Sequence, residues 1–548
     1  MQSPQTSFKE AEHILIGRVI GPGEESNEIL IATKDNQFSK IGEYLSYFSL
    51  VEGERREVFI KVISRSIKKN LPNSFLSNTN VDANEMAATL GIKDALNNIE
   101  YEIKAVILGY FDQQLESFIN PRLHPNPNTL VQLASDETLN KTLFPKQISE
   151  IGSASIGSLL LRQNLKAVID VNEMVSTHLA ILAGTGSGKS YLARVLLEEL
   201  MQPYNRASII VFDPHGEYES LASISSTKSF SNKDYNPKIK VFSPGDNLQI
   251  LISDLSWGDI RFLLKDVSEK MSHFLETIHD NAFKKARAKK QNWTLGDLMR
   301  ELEMLIEDSE IEGSGARATL EALKWRLERR FAPKGNRPKI FVDNGGTSLK
   351  DLFQPGLCTI IKLDGVEEEE QQIIAAILLR KVYEARERAT RQVEELDPKN
   401  SVEYPVFGLI EEAHRFAPSG DGQSASTKIL KTVLSEGRKF GVGVGLITQR
   451  PGKLDQNVLS QCMTQFLMRI INPIDQDSVA KGVEGAGRDL LKELPSLSKG
   501  QVIVSGAAVR TPILLKVRKA ITEHKGASAK SAQEWHSFFS PEAQTKRE

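Results

Sequence analysis

The chain has 548 residues, with 69 Lys plus Arg against 71 Asp plus Glu and a formal charge of −2. An apolar fraction of 40% and a charged fraction of 26% exclude collagen-like, mucin-like and wholly disordered chains, and the length exceeds what one hydrophobic core fills. Nothing global announces nucleic acid, so any DNA contact must come from locally concentrated basic residues.

The opening MQSPQTSFKEAEH lacks the basic and apolar segments of a secretory signal. No run reaches 18 apolar residues, Ile373 to Leu379 being about the best, so a membrane span is not expected. The two cysteines, Cys358 and Cys462, exclude a disulfide framework and read as reduced buried thiols. These features predict a soluble, cytoplasmic protein.

Residues 8–150 read as a small β-rich unit. His13 to Ile20 and Glu57 to Ile63 have strand patterning, and Gly21 to Gly23 and Gly53 to Arg56 read as turns. A helical insert is expected near 80–96. Pro121, Pro125, Pro127 and Pro145 exclude a long helix over 119–147.

From about 175 short apolar runs alternate with amphipathic helices, the pattern of a parallel α/β sheet. Strands are predicted at His178 to Ala183, Ser208 to Phe212, Thr359 to Leu363, Val406 to Ile410, Val442 to Ile447 and Phe466 to Ile471, with a helix at Tyr191 to Met201. Between 255 and 335 helical spacing takes over: Trp257 to Leu264, Ser268 to Lys290, Leu295 to Ile306 and Ala316 to Phe331. The division is therefore 8–150, a main α/β unit of 151–254 with 336–520, a helical-bundle insertion at 255–335, and a polar arm at 521–548 carrying Trp535 to Phe539.

Gly184-Thr-Gly-Ser-Gly-Lys-Ser190 stands between a strand and a helix, the context of a P-loop. Glycines let backbone N–H groups turn toward phosphate oxygens, and the helix start adds its positive dipole end. Gly184, Thr185, Gly186, Ser187 and Gly188 would form the cradle. Lys189 would reach the β- and γ-phosphates of ATP, and Ser190 would bind Mg²⁺. Ala183 stands where the strict pattern has glycine, which is tolerable at negative φ.

The strand Val406 to Ile410 runs into Glu411 and Glu412, placing two carboxylates at the C-terminal edge of the sheet. By position Glu411 is assigned to Mg²⁺ and Glu412 to the attacking water. Gln449, ending the strand before Arg450, is placed to sense the γ-phosphate or orient the water. The cation for the transition state has four candidates: Arg438, Lys439, Arg415 and Arg450.

Gly184 to Ser190, Val211-Phe-Asp-Pro-His-Gly-Glu-Tyr218, Ile410-Glu-Glu-Ala-His414, Glu436-Gly-Arg-Lys439 and Thr448-Gln-Arg-Pro451, in this order, resemble the HerA ATPases of the HerA–FtsK branch of RecA-like P-loop motors. Ile16 to Gly21 resembles the opening of the family's N-terminal β-barrel. The resemblance implies a RecA-like core, a hexameric ring, Arg438 acting as arginine finger in the neighbour's site, and Asp213 and Glu217 near the nucleotide. It also implies translocation on double-stranded DNA with a nuclease or sirtuin-like effector, in end processing or anti-phage defence. A second reading is an ATP-binding ring that scaffolds and regulates its effector; a peptide or secretion motor is disfavoured by the lack of a membrane segment. Ala282 to Lys290, with five basic residues in nine, and Lys324 to Lys339 are the candidate DNA contacts, although such runs are more often solvated helix faces.

Overall fold

The structure is a computed structural model of the chain and describes residues 14–67, 100–307, 314–332, 339–393, 398–420, 424–483, 488–522, 531–532 and 535. The helical insert expected near 80–96 and most of the arm lie outside the described residues, as do 333–338 of the second basic stretch.

Strands β1 (Leu15–Pro22), β2 (Glu28–Thr33), β3 (Tyr44–Val51), β4 (Glu54–Ile67), β5 (Tyr101–Asp112) and β7 (Leu130–Leu133) pair in the order β2-β1-β7-β3-β4-β5, and β2 pairs back on β5. This closes a six-stranded antiparallel barrel, with β6 (Ser117–Ile119) added beside β5. Alternate residues point inward, so Ile103, Ala105 and Ile107 of β5 meet Ile29, Ile31, Leu45, Val58 and Ile60 in the barrel core. Register shifts in β1 and β4 supply the bends that closure needs. Two expected turns move: Gly21 and Pro22 belong to β1, and the hairpin bend falls at Glu52 and Gly53, leaving Arg55 and Arg56 inside β4.

A short helix, α1 (Asp136–Leu143), leads to an eleven-stranded sheet. Its strands are β8 (Ser153–Leu159), β9 (Lys166–Asp170), β10 (Leu179–Leu182), β11 (Ile209–Asp213), β12 (Lys238–Phe242), β15 (Leu357–Lys362), β16 (Val406–Ile410), β17 (Val442–Thr448), β18 (Thr464–Leu467), β19 (Gln501–Gly506) and β20 (Ile513–Val517). The order is β12-β15-β11-β16-β17-β10-β18-β19-β20-β8-β9. From β12 through β18 the strands pair parallel, and they include all six strands predicted from the sequence; β18 to β9 pair antiparallel and add strands not expected from the sequence. The strand expected over Phe466 to Ile471 is Thr464–Leu467.

Both faces of the parallel half are covered, so β10, β11, β16 and β17 are buried throughout. Leu179, Ile181, Ile209, Val211, Phe407 and Leu409 face α2 (Lys189–Leu200). The alternate residues Ala180, Leu182, Ile210, Phe212 and Ile410 face the core that includes α7 (Glu368–Thr390) and α8 (Ala425–Phe440).

A two-stranded pair, β13 (Ile250–Leu251) with β14 (Phe341–Val342), brackets the helical bundle α3 (Trp257–Leu264), α4 (Glu269–Ala288), α5 (Leu295–Glu307) and α6 (Ser314–Phe331). Ser256 and Asp259 form a capping box at the start of α3, and Ser268 caps α4. The bundle's Leu263, Leu275, Leu298 and Leu323 share one core with α7 and α8.

Barrel and sheet are joined by Arg162, in the turn between β8 and β9. Its guanidinium bonds Glu43 at 2.8 Å, Asp136 at 2.8 Å and the Tyr44 carbonyl at 3.0 Å. Both cysteines are buried and burial pushes their thiols up to about 12, so neither is a ready nucleophile. Among the described residues no helix is long and apolar enough to cross a membrane.

Candidate functional site

The parallel strands β11, β16, β17 and β10 end on one edge, and everything the motifs contribute there comes from the residues just past those ends. After β10, Ala183 is buried and keeps a negative φ, which accounts for its tolerance in place of glycine. Gly184 N–H donates to the Arg469 carbonyl at 2.7 Å, and the Ser187 hydroxyl donates to the Gly184 carbonyl at 2.7 Å. Gly186 and Gly188 have φ of 76° and 104°, left-handed backbone that turns the loop inward. The helix α2 then begins at Lys189, two residues earlier than its spacing predicts, so the unpaired N–H groups of its first turn face the loop. Gly188 also lies against Met468 and Lys499, so the loop is flanked by two exposed cations, Arg469 and Lys499, that belong to none of the motifs.

Lys189 Nζ lies 2.9 Å from Glu411 Oε2 and 3.3 Å from Glu412 Oε1. Burial opposes its charge, but the two carboxylates outweigh that and raise its pKa. Glu411 is fully buried, which raises its pKa, against the pull of Lys189 and of a hydrogen bond from Tyr218. The buried Tyr218 hydroxyl donates to Glu411 Oε1, so both oxygens of this carboxylate have partners. Glu412 differs. Its Oε2 is buried without a hydrogen-bond partner, and its backbone sits at φ 51°, a left-handed conformation that costs a non-glycine residue about 1 kcal/mol or more and clusters at functional sites.

Gln449 Oε1 accepts from the Thr185 hydroxyl at 3.2 Å, so the end of β17 touches the phosphate loop directly. His414 Nδ1 is 3.0 Å from Thr448 Oγ1 and 3.4 Å from Glu412 Oε2. The His215 ring is 3.7 Å from Glu412 Oε1.

Asp213 is buried at the end of β11, and its carboxylate accepts the backbone N–H groups of His215, Glu217 and Tyr218 at 3.3, 3.2 and 3.0 Å. It therefore braces the loop that aims Tyr218 at Glu411. Glu217 acts electrostatically on Lys189 and Glu411. Its carbonyl accepts from Arg194 at 3.0 Å, and this buried arginine of α2 also bonds Ser220 and Thr522. Sequence reasoning gives no role to Tyr218, His414, Thr448 or Arg194. The first three stand inside the motifs, but their partners are far away in sequence, so spacing cannot assign them a role. Arg194 carries no signal beyond its place in a helix.

The candidate cations separate by edge. Arg415 and Arg450 follow β16 and β17 at the phosphate edge. Arg438 and Lys439 are exposed in the last turn of α8, before β17 begins. They sit at the opposite edge, about 20 Å away over the length of β17 at about 3.3 Å per residue. In the first basic segment Lys284, Arg287, Lys289 and Lys290 are exposed, while Lys285 is bound to the buried Glu301 at 2.6 Å.

The donor set suits Mg²⁺ shared with phosphates. A buried carboxylate, Glu411, faces the P-loop lysine beside Ser190 in the first turn of α2, and Mg²⁺ takes only one or two protein ligands when phosphates supply the rest. A strand, glycine loop and helix carrying Lys189, with paired glutamates on a neighbouring parallel strand, define a RecA-like P-loop nucleotide-binding core.

Residues 154–382 match the family described as helicase HerA, central domain. A DNA double-strand break repair helicase HerA of Pyrococcus furiosus is 30% identical over 388 residues, covering 66% of this chain and 69% of that protein. A probable DNA double-strand break repair helicase HerA of Methanocaldococcus jannaschii is 29% identical over 506 residues, covering 86% of this chain and 95% of that one. Among solved structures, the plasmid coupling protein TrwB with ADP and Mg²⁺ aligns over 72% of this chain and 94% of that chain, with a TM-score of 0.47 and 14% identity. The chain belongs to the HerA helicase family.

Proposed function

We propose that this chain is the ATP-hydrolysing subunit of a ring-shaped DNA motor. The observation that carries the reading is the split of charge across the sheet: Lys189, Glu411, Glu412 and Gln449 gather at one edge, while Arg438 stands exposed at the other. One chain thus holds a phosphate site on one edge and an exposed arginine on the far edge, as a ring of repeated subunits requires. A hexamer is the closed ring this reading takes. Its motor is residues 151–254 with 336–520, 255–335 are the helical insertion, and 8–150 the N-terminal barrel unit.

In the reaction Lys189 and the loop N–H groups hold the phosphates, with Ser190 and Glu411 as the protein ligands of Mg²⁺. Held by these residues, Mg²⁺ would supply neutralisation of phosphate charge. Glu412 accepts a proton from water as its oxygen bonds to the γ-phosphorus. The bond to the β–γ bridging oxygen breaks, and ADP leaves with that electron pair. Gln449 orients the water, and Arg438 of a neighbouring copy stabilises the equatorial oxygens.

The relatives are named as DNA double-strand break repair helicases, which favours double-stranded DNA as the track and end processing over anti-phage defence. A nuclease or sirtuin-like effector completes the reading by family resemblance. The test is ATP hydrolysis by assembled rings with and without linear duplex DNA. Stimulation by duplex supports the motor; hydrolysis indifferent to DNA, with no binding to duplex or single strands, supports the scaffold ring instead.

A further inference from the structure

The geometry points to His414 as a positioning residue that fixes Glu412 for proton abstraction, an assignment that rests on the hydrolytic reading above. The two oxygens of Glu412 have different surroundings. Oε1 lies 3.3 Å from Lys189 Nζ, on the side of the phosphate loop. Oε2 is buried without a hydrogen-bond partner, and His414 Nδ1 stands 3.4 Å from it. A buried carboxylate oxygen needs a donor, and an imidazole with its proton on Nδ1, already within 3.4 Å, supplies one when its ring turns toward Oε2.

The same nitrogen is 3.0 Å from Thr448 Oγ1, which already accepts the Arg450 N–H at 3.0 Å and has a second lone pair for His414. The imidazole therefore stands between Glu412 at the end of β16 and Thr448 in β17, the strand that carries Gln449 next to Thr448. The division of labour follows: Oε2 is anchored by His414, and Oε1 is left to take the proton from water. The link also sets Glu412 and Gln449, base and water-orienting residue, at a fixed separation. Glu412 has left-handed backbone and no capping bond from its side chain, so without His414 its carboxylate has no fixed rotamer on the Oε2 side.

His414 also lines a cleft of about 1120 Å³ that runs between α3, α7 and α8, with Arg261, Arg415 and Lys428 on its walls. The histidine thus stands between the buried glutamate and a cleft whose far wall is the α3 helix of the insertion. A contact made in that cleft reaches the base through a single ring.

Steady-state hydrolysis by wild-type rings, with saturating duplex DNA and varied ATP, is compared with His414→Ala, His414→Asn and Thr448→Val. His414→Ala is expected to lower kcat about tenfold or more while KM for ATP stays within about twofold, because ground-state phosphate contacts come from Lys189 and the loop. His414→Asn, whose Nδ2 reaches the place of Nδ1, should recover part of kcat. Thr448→Val should lose activity in the same manner, and the double variant should lose no more than the worse single one, since the two residues act as one unit. A His414→Ala enzyme within twofold of wild type overturns the assignment. So does a loss shared between kcat and KM without recovery by asparagine, or additive losses in the double variant. If His414→Ala does not assemble, Thr448→Val decides alone: a fall in kcat at constant KM supports the bridge, and unchanged kcat overturns it. Wild-type rings that hydrolyse no ATP would fail the motor reading itself, whereas active wild type with an unaffected variant fails only this inference.

Discussion

At the scale of single residues the site is a set of charges that balance each other. Lys189 is shared by Glu411 and Glu412, so Lys189→Ala removes both the phosphate contact and the cation that offsets two buried carboxylates. Hydrolysis should fall below detection. The fold should survive at a cost of roughly 3–5 kcal/mol from the uncompensated buried charge, read as a lowered thermal midpoint; wild-type hydrolysis would remove the P-loop assignment. The glutamates are distinguished by their partners. Glu412→Gln should bind ATP with Mg²⁺ and turn over very slowly, since an amide cannot take the proton. Glu411→Gln should raise the Mg²⁺ needed for half-maximal rate, and Tyr218→Phe, which strips a donor from Glu411 Oε1, should shift the same requirement in a smaller measure. Exchanged phenotypes for the two glutamates would reverse the roles and keep the site. The motif residues are legible because P-loop chemistry is written in contiguous sequence. Tyr218 and His414 are not, because their meaning lies in partners 193 and 34 residues away.

At the scale of elements, α8 runs from the phosphate edge to the far edge and delivers Arg438 there. An Arg438→Ala ring should assemble without hydrolysing, and mixing it with Lys189→Ala subunits should restore part of the rate, because some interfaces then pair an intact loop with an intact arginine. Absence of rescue in rings with confirmed subunit exchange would remove Arg438 from the trans site. Helix α4 bears the densest basic cluster, but Lys285 is committed to the buried Glu301 and should be left intact, since breaking that pair would destabilise the bundle. Reversing Lys284, Lys289 and Lys290 to Glu should flatten the dependence of duplex affinity on salt by about one phosphate equivalent for each lysine that pairs with the DNA backbone, with DNA-free hydrolysis preserved. An unchanged slope would make the cluster a solvated face.

At the scale of the whole molecule, barrel and sheet meet through buried charged groups. Lys61 of β4 is buried against the Tyr44 ring and the Pro512 carbonyl, and burial pulls its pKa down to about 8, with Glu493 opposing. A lysine with a lowered folded pKa binds fewer protons folded than unfolded, so wild-type stability should rise as pH goes from about 8 to about 10.5, the ordinary lysine value. Lys61→Met should therefore raise the thermal midpoint at pH 7, with the gain shrinking across that window. A gain independent of pH would mean that Lys61 is not the titrating group.

What the sequence by itself determined is what short-range chemistry encodes. The P-loop, the glutamate pair and the four bundle helices are local patterns of glycine, charge and apolar spacing, and α3 spans the residues its spacing predicts. The order of strands was beyond it, because adjacency is decided by packing: β17 sits between β10 and β16, which is what brings Gln449 to Thr185 and His414 to Thr448. The antiparallel half of the sheet was likewise hidden. Gln501–Gly506 and Ile513–Val517 are short runs whose patterning does not say which strand they pair with or in which direction, and their antiparallel pairing is set by tertiary packing. The tertiary structure alone decided that Arg438 and Lys189 lie on opposite edges of one sheet, because a helix crossing that sheet carries one residue away from the edge where the loop holds the other.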